Sequence, residues 1–256
     1  MKPYSILWLF PTLLVFAGCA DHSSQSNGTN TSTNSIVLDS TASVPLPTNP
    51  NHPSKEETPM SITPGRLLQA VSAEDLNLVQ TLLDQSTAMI DEQNEKGESP
   101  LLIAVHHNMI DIAKILVDHG ANINLQDHIQ DSPYLYAGAQ GKTEILAYML
   151  ENSEPDQSIV NRFGGNALIP AAEKGHLANV KLLLTDGRVD IDHQNHYGYT
   201  ALIEAVALRD GSKIYQDIVR ELLAHGANKE LRDNQGKTAE DYARELGYDQ
   251  LLSQLT

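Results

Sequence analysis

Ten histidines, one cysteine and 33 carboxylates set against 17 basic side chains are the groups with which this 256-residue chain could build a metal or catalytic site. Their spacing argues against one. His106 and His107 are adjacent, so their rings diverge on a helix, and no H-E-x-x-H pair places two imidazoles on one face. His119 and His225 each precede a glycine at the foot of an apolar-periodic stretch, where an imidazole complements a helix end, and His176 occupies a turn. A single cysteine excludes a disulfide framework and any multi-thiolate metal site within one chain. There is no G-x-S-x-G elbow and no phosphate loop. The carboxylates are spread along the chain, which reads as a solvated acidic surface and not as a catalytic pair. A formal charge of -16 opposes nucleic-acid binding and charge-driven docking on anionic lipid. The expectation is a protein without enzymatic activity, metal or cofactor, whose partner is another protein.

Residues 1–18 read as a secretory signal, with Lys2 as the positive start and an apolar stretch from Ile6 to Phe16 interrupted by Pro11. That stretch is shorter than the ~20 residues a spanning helix needs. Phe16-Ala17-Gly18-Cys19 then resembles the lipobox of bacterial lipoproteins, departing from it at Phe16, where Leu is commonest. The resemblance implies lipid attachment at Cys19, membrane contact through that anchor only, and a place in the bacterial cell envelope. Ala20, not Asp, after the cysteine favours the outer membrane, facing the periplasm. The alternative is a plain secretory signal with an incidental buried cysteine. From there to about Pro59 the chain is rich in Ser, Thr, Asn and Pro and cannot bury enough apolar surface to offset the entropy of ordering. Residues 19–59 are therefore expected to be a flexible, disordered stalk with a root-mean-square span of ~35 Å.

The elements that must position any binding residue come next. Asn94-Glu95-Lys96-Gly97-Glu98-Ser99-Pro100-Leu101 returns with starts at Asp127, Asn161, Asn195 and Asp233, at spacings of 33, 34, 34 and 38 residues. Glycine at the fourth place supplies the positive φ of a tight turn, Ser or Thr at the sixth caps a helix, and proline next costs no hydrogen bond. Two helices follow each opening, the second with a stripe such as Leu177, Val180, Leu183 and Leu184. With 5% aromatic residues the core must be Leu, Ile, Val and Ala, and stacked neighbours bury what one helix pair cannot. This period and opening resemble the ankyrin repeat, D-x-x-G-x-T-P-L. Resemblance extends to a group of bacterial secreted ankyrin proteins through Asn161 to Gly165, Ala171 to His176 and the insertion at Asp210-Gly211-Ser212.

It implies an all-α ankyrin-repeat solenoid of about six helix-turn-helix repeats with short hairpin loops over residues 60–256, the first and last acting as caps. Four departures stand out. Leu102, Leu135, Ile169 and Ile203 replace the usual His, so its hairpin-bracing bonds are expected to be lost. Pro170 should distort the first turn of its helix. Gln130 replaces the turn glycine in the third repeat, which is expected to be the least regular. The insertion from Arg209 to Asp217 is expected to lengthen the loop between the two helices of the fifth repeat.

In ankyrin proteins the hairpin tips and exposed inner-helix residues make most partner contacts. Carried onto this chain, these are His128 and Ile129, then Arg162 and Phe163, then His196, Tyr197 and Tyr199, with Glu173, Lys174 and Leu208 from the inner helices. Rings at neighbouring tips offer large contact area at low rotamer entropy. Packing of Phe163 and Tyr197 hairpin on hairpin is the competing expectation. Tyr134 and Tyr136 are expected in the core. The expected function is an envelope-anchored module that scaffolds or stabilises another protein, possible partners being basic ones; the alternative is an inhibitor or immunity protein that blocks a secreted toxin or hydrolase.

Overall fold

A computed structural model of the chain describes residues 63–256, so the expected signal, Cys19 and most of the segment before residue 64 lie outside the described residues. Among these residues there are twelve helices in six pairs and no strand. The inner helices are α1 (Arg66–Ser72), α3 (Pro100–His106), α5 (Pro133–Ala139), α7 (Leu168–Glu173), α9 (Ala201–Ala207) and α11 (Ala239–Leu246). The outer ones are α2 (Leu76–Gln85), α4 (Ile110–Asp118), α6 (Thr143–Asn152), α8 (Leu177–Asp186), α10 (Lys213–Ala224) and α12 (Asp249–Leu255). Each helix packs on its own partner and on its counterparts in adjacent repeats. The result is the expected one-dimensional stack, with a continuous apolar core from Leu67 to Leu255.

The helix starts follow from their caps. Ser99, Ser132 and Thr200 accept through their hydroxyls from the amides of Leu102, Leu135 and Ile203, and Thr238 forms a reciprocal capping box with Asp241. Each hairpin is tied by its opening residue. Oδ1 of Asn94, Asp127, Asn161, Asn195 and Asp233 accepts from the amides two and four residues on, which is why Asn or Asp recurs there. Small residues let inner helices close up: a Cβ on Gly138 would meet the Cβ of Ala167 at 2.9 Å.

Bracing of the hairpins survives without the histidine. Gln93, Gln126 and Gln194, each just before an opening Asn or Asp, donate to the carbonyl four residues on and to a carbonyl of the next repeat, namely Gln126, Val160 and Arg232. In the fourth repeat, Val160 has no such reach and His193 Nε2 pairs with the Gly164 carbonyl at 2.6 Å instead. The signal was present as a glutamine repeated in register.

Pro170 shortens α7. It has no N-H for the Asn166 carbonyl, whereas Ile103, Tyr136 and Glu204 make the equivalent bonds to Ser99, Ser132 and Thr200, so α7 begins at Leu168 with Asn166 Oδ1 accepting from Leu168 and Ile169. The insertion lengthens the loop as expected, Leu208 to Ser212 standing where the second, third and fourth repeats have three residues, but its second half, Lys213 to Asp217, is helical and belongs to the 12-residue α10. Tyr248 Oη fastens this loop by donating to the Arg209 carbonyl at 2.5 Å.

The third repeat is irregular where expected. Adjacent hairpins are joined by backbone bonds from His128 to Lys96, His196 to Phe163 and Asn234 to Tyr197, but no equivalent bond joins Arg162 to Ile129. Gln130 sits between them at φ 63°, a left-handed conformation that a side chain opposes. Arg188 compensates behind it, gripping Asp186 and donating to the carbonyls of Leu150 and Ser153. Gln130→Gly is expected to raise stability by about 0.5–1 kcal/mol, since the strain is removed, the backbone carbonyl that accepts from Gln126 is kept, and the Gln130 side chain forms no hydrogen bond among the described residues. Urea denaturation followed by circular dichroism checks it, and an unchanged or lower midpoint would show that the turn bears no strain.

Candidate partner-binding face

The rigid hairpins hold a row of apolar side chains in the open. Ile129 is 54% exposed, Phe163 48%, Tyr197 55% and Leu208, at the end of α9, 47%. Phe163 and Tyr197 therefore do not bury themselves hairpin on hairpin. Phe163 instead carries the Arg162 guanidinium 4.9 Å from its ring centre. Tyr197 lies 6.3 Å from Tyr199, and Tyr199 meets Tyr242 edge-on at 6.3 Å, so Tyr199 links tip to core while Tyr197 projects. Tyr242 donates to Asp233 Oδ2 at 2.5 Å, and burial together with that bond holds its phenol above the usual range.

His128 and His196 are exposed, yet each ring also covers the turn glycine of the preceding hairpin. A Cβ on Gly97 would collide with His128, and one on Gly164 with His196. These two residues pack between tips as well as facing outward. Tyr134 is buried as expected, and Tyr136 is half-buried against His106, with ring centres 4.2 Å apart. His119 and His225 place Nδ1 on the carbonyls of Ile115 and Glu221 at 2.8 and 2.9 Å, as helix-end caps.

The inner-helix ends beside the tips are charged and paired. Arg162 reaches Asp131 at 3.5 Å, and Arg209 grips Glu173. Lys174 follows Glu173 at the end of α7, and crowding by neighbouring atoms lowers its pKa.

Three buried carboxylates, Asp127, Glu204 and Asp233, overturn the expectation of a purely solvated acidic surface, and Glu204 does so away from the hairpin openings. Glu204, in the first turn of α9, is buried at 7% exposure; Asn195 Nδ2 donates to its Oε1 at 2.8 Å. Burial, reinforced by the nearby Glu173 charge and only partly offset by Asn195 and Arg209, pushes its pKa up to about 8. Counterpart positions hold Ile103, Tyr136, Pro170 and Tyr242, so aligning the repeats in register exposes the anomaly. Asn195 Oδ1 also ties down the amides of Tyr197 and Tyr199, which connects Glu204 to the tip that bears the tyrosines.

Among the described residues no group of three or more His, Cys, Asp or Glu could hold a metal ion. Beside Leu208 an open cleft of about 470 Å³ is lined by Arg209, Asp210, Tyr215 and Tyr248. The arrangement offers contact area, aromatic edges and fixed charges, with a repeated geometry.

Comparison with known proteins agrees. The family described as Ankyrin repeats (3 copies) matches residues 67–161 and 134–233. The chain is 36% identical over 192 residues to the ankyrin repeat protein YahD of Escherichia coli (strain K12), covering 75% of this chain and 94% of that protein. The crystal structure of EF0377, an ankyrin repeat protein, superposes with a TM-score of 0.75 at 57% identity, covering 76% of this chain and 98% of the other. An ankyrin repeat domain from Acinetobacter baumannii AYE gives 0.71 at 43% identity, with 75% and 96% covered.

Proposed function

This chain belongs to the ankyrin-repeat family, and from that premise we propose that it is an envelope-anchored binding module that scaffolds or stabilises a periplasmic or envelope protein. Ankyrin repeats are protein-interaction modules and typically non-catalytic scaffolds. The observation that carries the reading is the row of Ile129, Phe163 and Tyr197, exposed on consecutive hairpins with Leu208 beside them. Such a row is the apolar centre an interface requires. Phe163→Ala with Tyr197→Ala is expected to reduce partner capture, measured by crosslinking in whole cells, by about tenfold or more, with helical content and melting unchanged. Undiminished capture would place the interface elsewhere.

The anchor in this reading is a lipid on Cys19, after removal of residues 1–18, with the following residues as tether and the outer membrane, facing the periplasm, as location. Cys19→Ala is expected to release the protein from membranes and to end incorporation of labelled fatty acid. Retention in the membrane fraction without label would rule the anchor out.

Charge supports an alternative, an inhibitor or immunity protein blocking a basic toxin or hydrolase. Residues 64–256 hold 29 acidic and 15 basic side chains. Part of the excess lies behind the tips, on α4, α6 and the loop after α6, where Lys114 pairs with Glu144 and Arg188 with Glu154 while Asp111, Asp118, Glu151 and Asp156 form no ion pair among the described residues. A field of that kind speeds encounter with a basic protein over a Debye length, while short-range pairs decide the docked pose. Toxicity on deleting this protein, relieved by deleting the effector, would favour inhibition over scaffolding.

A further inference from the structure

The face around the end of α7 leaves one cation of this acidic domain without a partner. Arg162 is committed to Asp131 at 3.5 Å and Arg209 to Glu173, with Asp210 also close to Arg209, and Lys174 stands beside these pairs. Lys174 forms no hydrogen bond or ion pair through its ammonium among the described residues. Its nearest carboxylates are already taken by arginines that lie close enough to repel it. Glu204 adds no compensating charge at neutral pH, because burial keeps it protonated up to about pH 8. Exposed Phe163, under the Arg162 guanidinium, and exposed Leu208 complete the surroundings with apolar surface.

We propose that this face seats an acidic side chain of the partner, an internal Asp or Glu, on the Lys174 ammonium, with an adjacent aromatic or aliphatic side chain against Phe163 and Leu208. Charge complementarity selects the occupant: a further cation would be repelled by Lys174 while the neighbouring carboxylates are held by arginines, and a purely apolar segment would leave an unpaired ammonium under it. The inference rests on the reading of the tips as the interface. It adds the local chemistry that the overall acidity conceals, since a basic protein can still present one carboxylate at the contact.

Random peptides displayed between two fixed flanks, so that no terminal carboxylate is offered, provide the probe. They are selected on the full chain, then measured against Lys174→Met, against Lys142→Met on the outer face, and against the Phe163→Ala, Tyr197→Ala pair. Enriched peptides are expected to set Asp or Glu beside an aromatic or aliphatic residue. Their affinity should fall about tenfold with Lys174→Met, stay unchanged with Lys142→Met, and show no further loss on Lys174→Met when the peptide carboxylate becomes an amide. Peptides that need Phe163 and Tyr197 but bind Lys174→Met equally well, or carry no carboxylate, overturn the assignment of Lys174 while the interface stands. Peptides indifferent to Phe163 and Tyr197, or no enrichment at all, overturn both.

Discussion

Glu204→Gln is expected to stabilise the domain at pH 7 by about 1–3 kcal/mol and to flatten its stability between about pH 4.5 and 8. The carboxyl titrates near its ordinary value when the chain is unfolded but at about 8 when folded, so across this window the folded state holds a proton that the unfolded state has released. Stability therefore falls as pH rises, by up to about 1.4 kcal/mol per unit, until the folded form also ionises. Below pH 4.5 both states are protonated and the penalty vanishes. An amide carries no such penalty: its oxygen still accepts from Asn195, and it brings no charge to oppose that of Glu173. Carboxylates such as Asp186 and Asp241, held low by hydrogen bonds to Arg188 and Thr238, act in the opposite sense and weaken the domain as pH falls. For that reason the difference between wild type and variant is the quantity to follow. Urea midpoints across the window measure it, and parallel pH profiles would show that Glu204 ionises normally in the folded chain.

Asn179→Ala should cost about 2–4 kcal/mol. Asn179 lies in α8, is fully buried, and donates both amide hydrogens to the carbonyls of Ala137 and Gly138 at the end of α5, at 2.9 and 3.0 Å. Its oxygen accepts from Thr143 Oγ1 at 2.7 Å. Alanine would remove the buried donors to the carbonyls of Ala137 and Gly138 and leave the half-buried Thr143 hydroxyl only the Gly141 carbonyl, 3.3 Å away. These bonds cross from the fourth repeat to the third, the same junction that lacks the tip-to-tip backbone bond between Arg162 and Ile129. Weakening it further should split a single transition into two, because stability in a stack passes only through nearest-neighbour interfaces. Denaturation read by circular dichroism would then show a lower midpoint with a shallower first transition. A loss below 1 kcal/mol would mean that the junction is held by apolar packing alone.

The two substitutions mark the boundary of what a sequence reading reaches. The spacing of Ser99-Pro100, Ser132-Pro133 and Thr200 foretold the starts of α3, α5 and α9, and the missing glycine at Gln130 foretold the weak hairpin. The insertion was legible in half: the loop before α10 is longer, as expected, while Lys213 to Asp217 join α10, where Tyr215 packs against the core. Exposure of Phe163 and Tyr197, left open between contact and packing, was decided only in the folded stack, where both rings stay about half exposed.

The sequence by itself determined the repeat, its turns and its helix boundaries. Those features rest on hydrogen bonds and side-chain caps reaching no more than about four residues along the chain, and their donors and acceptors are written next to one another. Only the tertiary structure decided that Glu204 is buried, that Asn179 closes the end of α5, and that Lys174 is left without a counter-ion. Each depends on a neighbour 31 to 43 residues away: Glu173 against Arg209 and Glu204, Asn179 against Gly138, Lys174 against Asp131. Desolvation and charge pairing follow from what the adjacent repeat places alongside, and a side chain's own repeat does not contain that information.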